Sequence, residues 1–399
     1  MSMEREHALS VAEQRVRGWL HARGYQPQLW PLRRDQWSVW QCQITDDTGQ
    51  PVPAGLGAGK GTDAGGHVGA LCEATEHLIT EFPPETVVCS AEAVADGLAG
   101  DAVAPLLAEQ ASAAMACATY RPTDGSAANS LLVPLALSRP SYLHDRHPDD
   151  EFSYDPLLPY LTNSGTALGL SRDEALLHAL NETVERDALS LLLCQLISDD
   201  LQITTLEPRS LGRDLSGLLA HVEHVLGEPV SLLDLTTNIG VPTVLAYIPP
   251  GPGRQTYGRG LGTSLAEDHA IYRALSELLQ LELTAGVANP AEIAPLQELD
   301  PLLHRAGMFD LRTHLAQAHT RPHCPTASAG SVADQVTEVH RRIAAAGYRP
   351  YHRELTTGGD TIAVVHVLIP GLERIMTVLS GHPAVPGPRG QNVLQGVPT

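Results

Sequence analysis

The sequence predicts a mixed α/β fold, of α+β type, and three observations carry that expectation. Short β-branched or leucine-rich runs alternate with helical stretches, without the strict strand-then-helix rhythm of a doubly wound sheet. Hydrophobic residues at 43% and charged residues at 18% of 399 describe a globular chain able to bury a sizeable core. Finally, one helical pattern recurs three times in the same register: Ala70-Leu71-x-Glu73-x-x-Glu76, Ala179-Leu180-x-Glu182-x-x-Glu185 and Ala274-Leu275-x-Glu277-x-x-Gln280.

Taken in order, Ala8 to Gly24 carries Leu9, Val11, Val16, Trp19 and Leu20 at helical spacing and stops at a glycine, and Trp37 to Ile44 alternates like a strand. The Pro/Gly-rich stretch Gly49 to Gly61 reads as a turn. Residues 1–50 are therefore expected to form an N-terminal helix-plus-strand module, and residues 51–399 the main domain. Further strands are predicted at Thr86 to Ser90, Leu131 to Leu137, Val230 to Leu235, Val241 to Ile248, Tyr351 to Leu355 and Thr361 to Ile369. Helices are predicted at Ala175 to Cys194, Ser216 to Leu226 and Val332 to Ala346, and a surface loop at His147 to Pro156.

Composition excludes several classes. The net charge of −20 repels a phosphate backbone and argues against general nucleic-acid binding. No apolar run reaches the roughly 18 residues of a membrane span, and the start lacks the apolar stretch of a signal peptide, so a cytoplasmic protein with no membrane partner is expected. Six scattered cysteines without a C-x-x-C pair point away from zinc and from a disulfide framework.

The Ala175–Cys194 helix is apolar almost all round, yet holds Glu182 and Glu185, carboxylates that are costly to bury unless a cation meets them. Glu174, His178, Glu182 and Glu185 fall within roughly an 80° arc of it at about 100° per residue. The aligned positions are Gly65, Gly69, Glu73 and Glu76 on the first helix, and His269, Arg273, Glu277 and Gln280 on the third. One E-x-x-E pair is ordinarily a solvated face, but repetition in one register beside leucines points to three acidic faces lining one cavity. Converging carboxylates call for hard cations, most simply Mg²⁺, which prefers oxygen ligands and commonly also holds substrate phosphates. Lys60, the sole lysine, lies between glycines in Gly57-Ala58-Gly59-Lys60-Gly61-Thr62 and, with Arg186 and Arg273, is placed to meet phosphate oxygens. A Mg–ATP cradle built from helix faces is the resulting expectation. It is not a P-loop, whose spacing the Gly57–Thr62 stretch does not match.

With these residues the chain resembles the YcaO family of ATP-dependent peptide-backbone modifying enzymes, from about Gly57 to Arg389. Gly59-Lys60-Gly61 with Gly69-Ala70-Leu71-x-Glu73-x-x-Glu76 is similar to the first family motif. Thr166-Ala167-x-Gly169 with Glu174-Ala175-x-x-His178-Ala179-Leu180-x-Glu182-x-x-Glu185-Arg186-Asp187 is similar to the second, and Arg273-Ala274-Leu275-x-Glu277-x-x-Gln280 to the third. Ile369-Pro370-Gly371-Leu372-Glu373 matches a late strand-end signature. The resemblance implies a YcaO-type fold in which Glu73, Glu76, Glu174, Glu182, Glu185, Arg186 and Gln280 bind ATP and Mg²⁺, the metal falling to Glu73, Glu76, Glu182 and Glu185. Glu277 is carried over more weakly, and Lys60 and Arg273 rest on the charge argument. It further implies phosphorylation of a backbone amide oxygen in a ribosomal precursor peptide, foremost azoline-forming cyclodehydration of Cys, Ser or Thr. Thioamidation with a partner protein and a non-catalytic nucleotide-binding scaffold are the alternatives. A di-metal carboxylate oxidase fits poorly with 35 glycines and 30 prolines. Expected partners are the peptide, a leader-peptide-binding, ubiquitin-activating-like or TfuA-like protein, and a second copy in a homodimer. Two departures stand out: His77 replaces a usual arginine, and Pro383, Pro386 and Pro388 form only an irregular version of a proline-rich C-terminus.

Overall fold

The computed structural model of the protein describes residues 4–126, 129–198, 201–252, 254–284, 289–326 and 330–397. Three sheets with helices packed between them realise the mixed α/β expectation. Helix α1 (Leu9–His21) buries Val16, Trp19 and Leu20 as expected, with Ala12 in addition, while Leu9 and Val11 are half-buried. It leads into a three-stranded antiparallel sheet of β1 (Gln26–Arg33), β2 (Ser38–Thr45) and β3 (Pro51–Gly61), on which α2 (Asp63–Thr80) lies. The sheet therefore pairs strands from both sides of residue 50.

One expectation is corrected here. The stretch taken as a turn, Gly49 to Gly61, is a strand over residues 51–61, in register with β2 from Ser38↔Gly61 to Thr45↔Pro51. Its prolines are tolerated because β3 is the last strand of the sheet, where a missing N–H breaks no ladder on the open side. The edge strand β1 was not anticipated, since Pro27 and Pro31 hide its alternation.

A second sheet follows from β4 (Val87–Ser90), the short helices α3 (Ala91–Gly97) and α4 (Ala104–Ala108), β5 (Ala114–Pro122), β6 (Leu131–Pro134) and β7 (Thr166–Gly169). Helix α5 (Arg172–Ser198) is the long central helix, buried along most of its length. Then come β8 (Thr204–Leu206), α6 (Arg213–Leu226), β9 (Ser231–Asp234), β10 (Thr243–Ile248), β11 (Gly258–Thr263) and α7 (Glu267–Leu283). Short helices α8 (Pro290–Ile293), α9 (Leu296–Leu299), α10 (Pro301–Met308) and α11 (Arg312–Leu315) precede β12 (His319–Arg321). The chain ends with α12 (Val332–Ala345), β13 (Tyr351–Glu354), β14 (Ala363–Leu368) and α13 (Pro388–Leu394). Strand order is β4-β5-β13-β14-β7 in one sheet, with β6 on β5, and β11-β10-β9-β8-β12 in the other.

Local chemistry sets the helix starts. The Thr62 side chain accepts from Gly65 N–H at 3.2 Å and caps α2, and Ser331 with Asp334 forms a capping box on α12, each such cap contributing about 1 kcal/mol. Apolar faces then decide the layers: Leu71, Ala74, Leu78 and Ile79 of α2 pack with α1 and β2, while Ala175, Ala179 and Leu180 of α5 pack with Val365 and Val367 of β14 and Val339 and Ile343 of α12. Among the described residues no helix is long and apolar enough to cross a membrane.

Candidate functional site

Each helix carrying the repeated pattern rests on a strand that precedes it, and glycine brings the two into backbone contact. A Cβ on Gly59 of β3 would lie 1.9 Å from the Gly66 carbonyl oxygen, and one on Gly57 2.2 Å from Ala74 N, both in α2. On β11, a Cβ at Gly260 would lie 2.1 Å from Leu278 N and one at Gly262 2.1 Å from Ala270 O, both in α7. Gly169 of β7 repeats the arrangement, with 2.5 Å to Ala175 N of α5. These glycines serve helix-on-strand approach.

These three units turn their polar stripes toward one another. Lys60 Nζ, at the end of β3, donates to Glu277 Oε2 on α7 at 2.9 Å, and Gln280 Nε2 donates to the Ala58 carbonyl at 3.3 Å. On α5, Arg186 Nη2 lies 3.3 Å from Glu182 Oε1, and its Nη1 3.4 Å from Glu185 Oε1. Glu76 accepts from Leu168 N–H of β7 at 2.8 Å, which ties α2 to the strand beneath α5. Arg273 Nη1 meets His178 Nδ1 at 3.3 Å, and burial, then Arg5 and Arg273, push His178 down to about 3. His77, in place of the expected arginine, bonds through Nδ1 with the Leu56 carbonyl at 2.7 Å.

The carboxylates divide by environment. Burial, then Glu182 and Glu73, raise Glu76 well above the usual range; burial raises Glu73 against the pull of His77 and Lys60; burial raises Glu185 against the pull of Arg186. Glu277 is also desolvated, but Lys60 and Arg186 more than offset that and hold it down at about 2. Arg186 is raised: burial works against its charge, and Glu182, Glu185 and Glu277 outweigh burial.

Glu174 stands apart from this cluster. Its Oε2 accepts from Leu170 N–H at 2.7 Å and its Oε1 from Glu6 N–H, so both oxygens serve backbone at the start of α5. Sequence reasoning did not foresee that the N-terminal segment reaches the site. Glu4 accepts from Ser264 Oγ and pairs with His269 Nε2 at 3.2 Å; burial is outweighed by His269, so its carboxyl is held at about 2. The basic-acidic run Glu4-Arg5-Glu6-His7 was the available signal. Also unforeseen is the buried pairing of Asp187, next to Arg186, with Arg389 (Nε to Oδ1 2.9 Å, Nη2 to Oδ2 3.0 Å). Glu373 of the late signature accepts from Gly387 N–H at 2.9 Å and Gly390 N–H at 3.0 Å, tying down the chain that leads to α13.

Among the described residues no group of three His, Cys, Asp or Glu side chains is gathered as a metal cage. The chain's own cations and backbone donors engage the carboxylates instead. The donor set nonetheless fits an oxygen-preferring cation and a phosphate chain: Glu185 Oε2 and Gln280 Oε1 are buried without hydrogen-bond partners, as are Arg186 Nε and Arg273 Nε. Unmet acceptors and unmet guanidinium donors thus lie on two of the three helices, α5 and α7.

The family model of the YcaO cyclodehydratases, described as ATP- and Mg²⁺-binding, matches residues 58–373. The chain belongs to the YcaO family. The cofactors of this YcaO-family chain are accordingly ATP and Mg²⁺. An uncharacterised protein of the tfuA 3′ region of Rhizobium leguminosarum bv. trifolii is 29% identical over 67% of this chain. An uncharacterised protein of Methanothermobacter thermautotrophicus is 37% identical over 30% of it. The chain spans 63% of the first relative's length and 31% of the second's. Among solved structures, YcaO of Methanopyrus kandleri bound with AMPPCP and Mg²⁺ superposes with TM-score 0.64 at 20% identity, over 93% of this chain and 92% of that one. A heterocyclase in complex with substrate and cofactor gives 0.65 at 17% identity, over 93% of this chain and 53% of that one. The Escherichia coli microcin synthetase McbBCD complex gives 0.55 at 13% identity, over 87% of this chain and 88% of that one. The mixed α/β architecture is therefore that of the YcaO fold.

Proposed function

We propose that the protein uses ATP and Mg²⁺ to phosphorylate a backbone amide oxygen of a ribosomally made precursor peptide, with azoline-forming cyclodehydration of Cys, Ser or Thr as the leading outcome. The observation that supports this most is the convergence of half-buried carboxylates on α2 and half-buried to buried ones on α5 with Lys60, Arg186 and Arg273 in a YcaO-family chain. In this reading Glu73, Glu76, Glu182 and Glu185 hold Mg²⁺, while Lys60, Arg186 and Arg273 contact phosphate oxygens and Gln280 and Glu277 fix the third wall. Glu174 contributes by setting the start of α5 and the path of the N-terminal segment. Phosphate converts the amide oxygen into a leaving group, and the arginines stabilise charge on the transferred group. The metal supplies Lewis-acid stabilisation of that charge when bound.

A second reading, thioamidation with a TfuA-like partner, is favoured by the relative in the tfuA 3′ region. The solved McbBCD complex is known with pro-MccB17 bound, which supports peptide delivery within an assembly. A leader-peptide-binding or ubiquitin-activating-like partner would serve the first reading.

Calorimetric titration of ATP with Mg²⁺ tests the core of both. Tight, metal-dependent binding to the wild type and its loss in Glu182→Gln/Glu185→Gln is the expected outcome. Binding that the double variant keeps, or that does not need the metal, removes the acidic helices from the site.

A further inference from the structure

The central helix α5 carries a second polar stripe, on the face turned away from the proposed ATP site. At about 100° per residue, Asp187, Ser190 and Cys194 lie roughly 160° round the helix from the stripe of Glu174, His178, Glu182 and Glu185, and Arg186 falls between the two. Asp187 and Ser190 are fully buried. Apolar packing is the ordinary way to cover such a face; here polar groups between Glu373 and Gly390 meet it.

Asp187 Oδ1 accepts from Arg389 Nε at 2.9 Å and from Glu373 N–H at 2.8 Å, and its Oδ2 accepts from Arg389 Nη2 at 3.0 Å. Arg389 is 5% exposed and donates further to Tyr348 OH at 3.0 Å and to Asn238 Oδ1 at 2.8 Å. Tyr348 follows α12, and Asn238 lies in the connection between β9 and β10, strands of the sheet on whose β11 α7 is seated. One turn on, Ser190 Oγ accepts from Met376 N–H at 3.2 Å. A further turn on, a Cβ at Gly390 would lie 2.8 Å from Cys194 Sγ and 2.5 Å from Glu373 Oε2, so the C-terminal helix α13 sits hard against α5. These directional anchors fix the rotation of α5, and its position along its axis, against the sheet beneath the third wall.

A buried ion pair is a poor stabiliser, because desolvation of both ions offsets much of their attraction and apolar side chains of similar volume often serve as well or better. What a bidentate guanidinium–carboxylate contact does supply is register, since its two parallel bonds hold one mutual orientation. Register matters at this point of the chain. Arg186 is the neighbour of Asp187, and its guanidinium lies 3.3 Å from Glu182 and 3.4 Å from Glu185 on the site face. For groups that must meet a phosphate or a metal, a misplacement of about 1 Å can cost about a hundredfold in rate.

We infer that Arg389 is a positioning residue for the ATP site: through Asp187 it sets the register of α5, so that Glu182, Glu185 and Arg186 meet the groups of α2 and α7 in one arrangement. The side-chain partners of Arg389 are Asp187, Asn238 and Tyr348, none of them a proposed ATP or metal ligand, so it acts through the helix it braces. The consequence for ATP rests on the proposed reading of the site; the brace itself does not.

The test compares the full wild-type chain with Asp187→Asn/Arg389→Met and with Arg389→Lys. The double variant removes both charges and keeps an acceptor for Glu373 N–H, so it should melt close to the wild type. Calorimetry well below melting should show Mg²⁺–ATP binding about tenfold or more weaker in the double variant, with Arg389→Lys, which keeps the charge but not the fork, in between. Wild-type affinity in the folded double variant makes the pair merely structural and overturns the proposal. A crystal structure of the nucleotide-free double variant reads the brace without ATP. Superposed on α2, α7 and their strands, it should show α5 turned or slid, with the Arg186 guanidinium displaced by about 1 Å or more. An α5 that superposes on the wild type overturns the proposal whatever calorimetry shows. If the double variant does not fold, Arg389→Lys takes both measurements, and wild-type affinity or an unmoved α5 counts against the proposal in the same way. A wild type that fails to bind Mg²⁺–ATP, with α5 displaced in the variant, sinks the ATP reading and supports the brace.

Discussion

Helices α2 and α7 are built alike and charged differently. Each lies on a strand whose glycines admit it to backbone contact, and each turns E-x-x-E or E-x-x-Q toward the same region. On α7, Glu277 is met by Lys60 and influenced by Arg186, so it stays ionised at about 2 in spite of burial, and its companion Gln280 is neutral. On α2, Glu73 and Glu76 are raised by burial and by neighbouring carboxylates, Glu277 for the first and Glu182 and Glu73 for the second. The chain neutralises one wall with its own cations and leaves the other short of positive charge. A cation from solution therefore gains most against α2 and the facing part of α5, which is where the proposed metal ligands lie.

The shared half of the comparison breaks first at the glycines. Gly59→Ala places a methyl 1.9 Å from the Gly66 carbonyl oxygen, and Gly260→Ala places one 2.1 Å from Leu278 N. Neither obstacle is a flexible side chain, so each substitution should cost about 3 kcal/mol or more in denaturant unfolding. A loss below about 1 kcal/mol in either would mean that its helix can back away, and that the tight seat is not what aims the carboxylates.

The unlike half is sharpened by pH. Glu73 and Glu76 bind protons more strongly folded than unfolded, so the metal-free protein should lose stability as pH rises from about their ordinary value of 4.5 through their raised folded values. The slope is at most about 1.4 kcal/mol per pH unit for each group. Glu277 runs the other way: its stabilisation is present above 4.5 and is lost as pH falls toward about 2. Melting curves against pH should show the first loss relieved by Mg²⁺ and flattened in Glu73→Gln/Glu76→Gln. If Mg²⁺ leaves the high-pH limb of the wild type unchanged, α2 is not the metal-binding wall.

Much of this was legible in the sequence because helical period and repeated register survive without tertiary information. The three motif helices, α6 and α12 follow from spacing and caps, and the Lys60–Glu277 pairing is consistent with the charge expected at that loop. What stayed hidden depends on contacts distant in sequence. Strands β3 and β11 are glycine-rich because a helix lies against them, so they read as turn or loop until that helix is in place. Glu174 shares the stripe of Glu182 by angle, yet the approach of Glu6 and the turn at Leu170 direct it to backbone.

The smallest expected effect concerns Lys60, which reaches from β3 to neutralise Glu277 of the α7 wall. Its ammonium either contacts phosphate directly or acts solely by neutralising Glu277, 2.9 Å away, and one substitution cannot separate the two. Lys60→Met should weaken Mg²⁺–ATP binding about tenfold on either account, the scale of one charge-assisted hydrogen bond. Adding Glu277→Gln removes the carboxylate that the first change stranded. If Lys60 only neutralises Glu277, the pair of changes restores calorimetric affinity; if Lys60 meets phosphate, affinity stays low. Persistent weakness in Lys60→Met/Glu277→Gln is the expected result, because a lysine held between glycines at the mouth of three acidic helices has reach toward the cleft that neutralisation alone does not require.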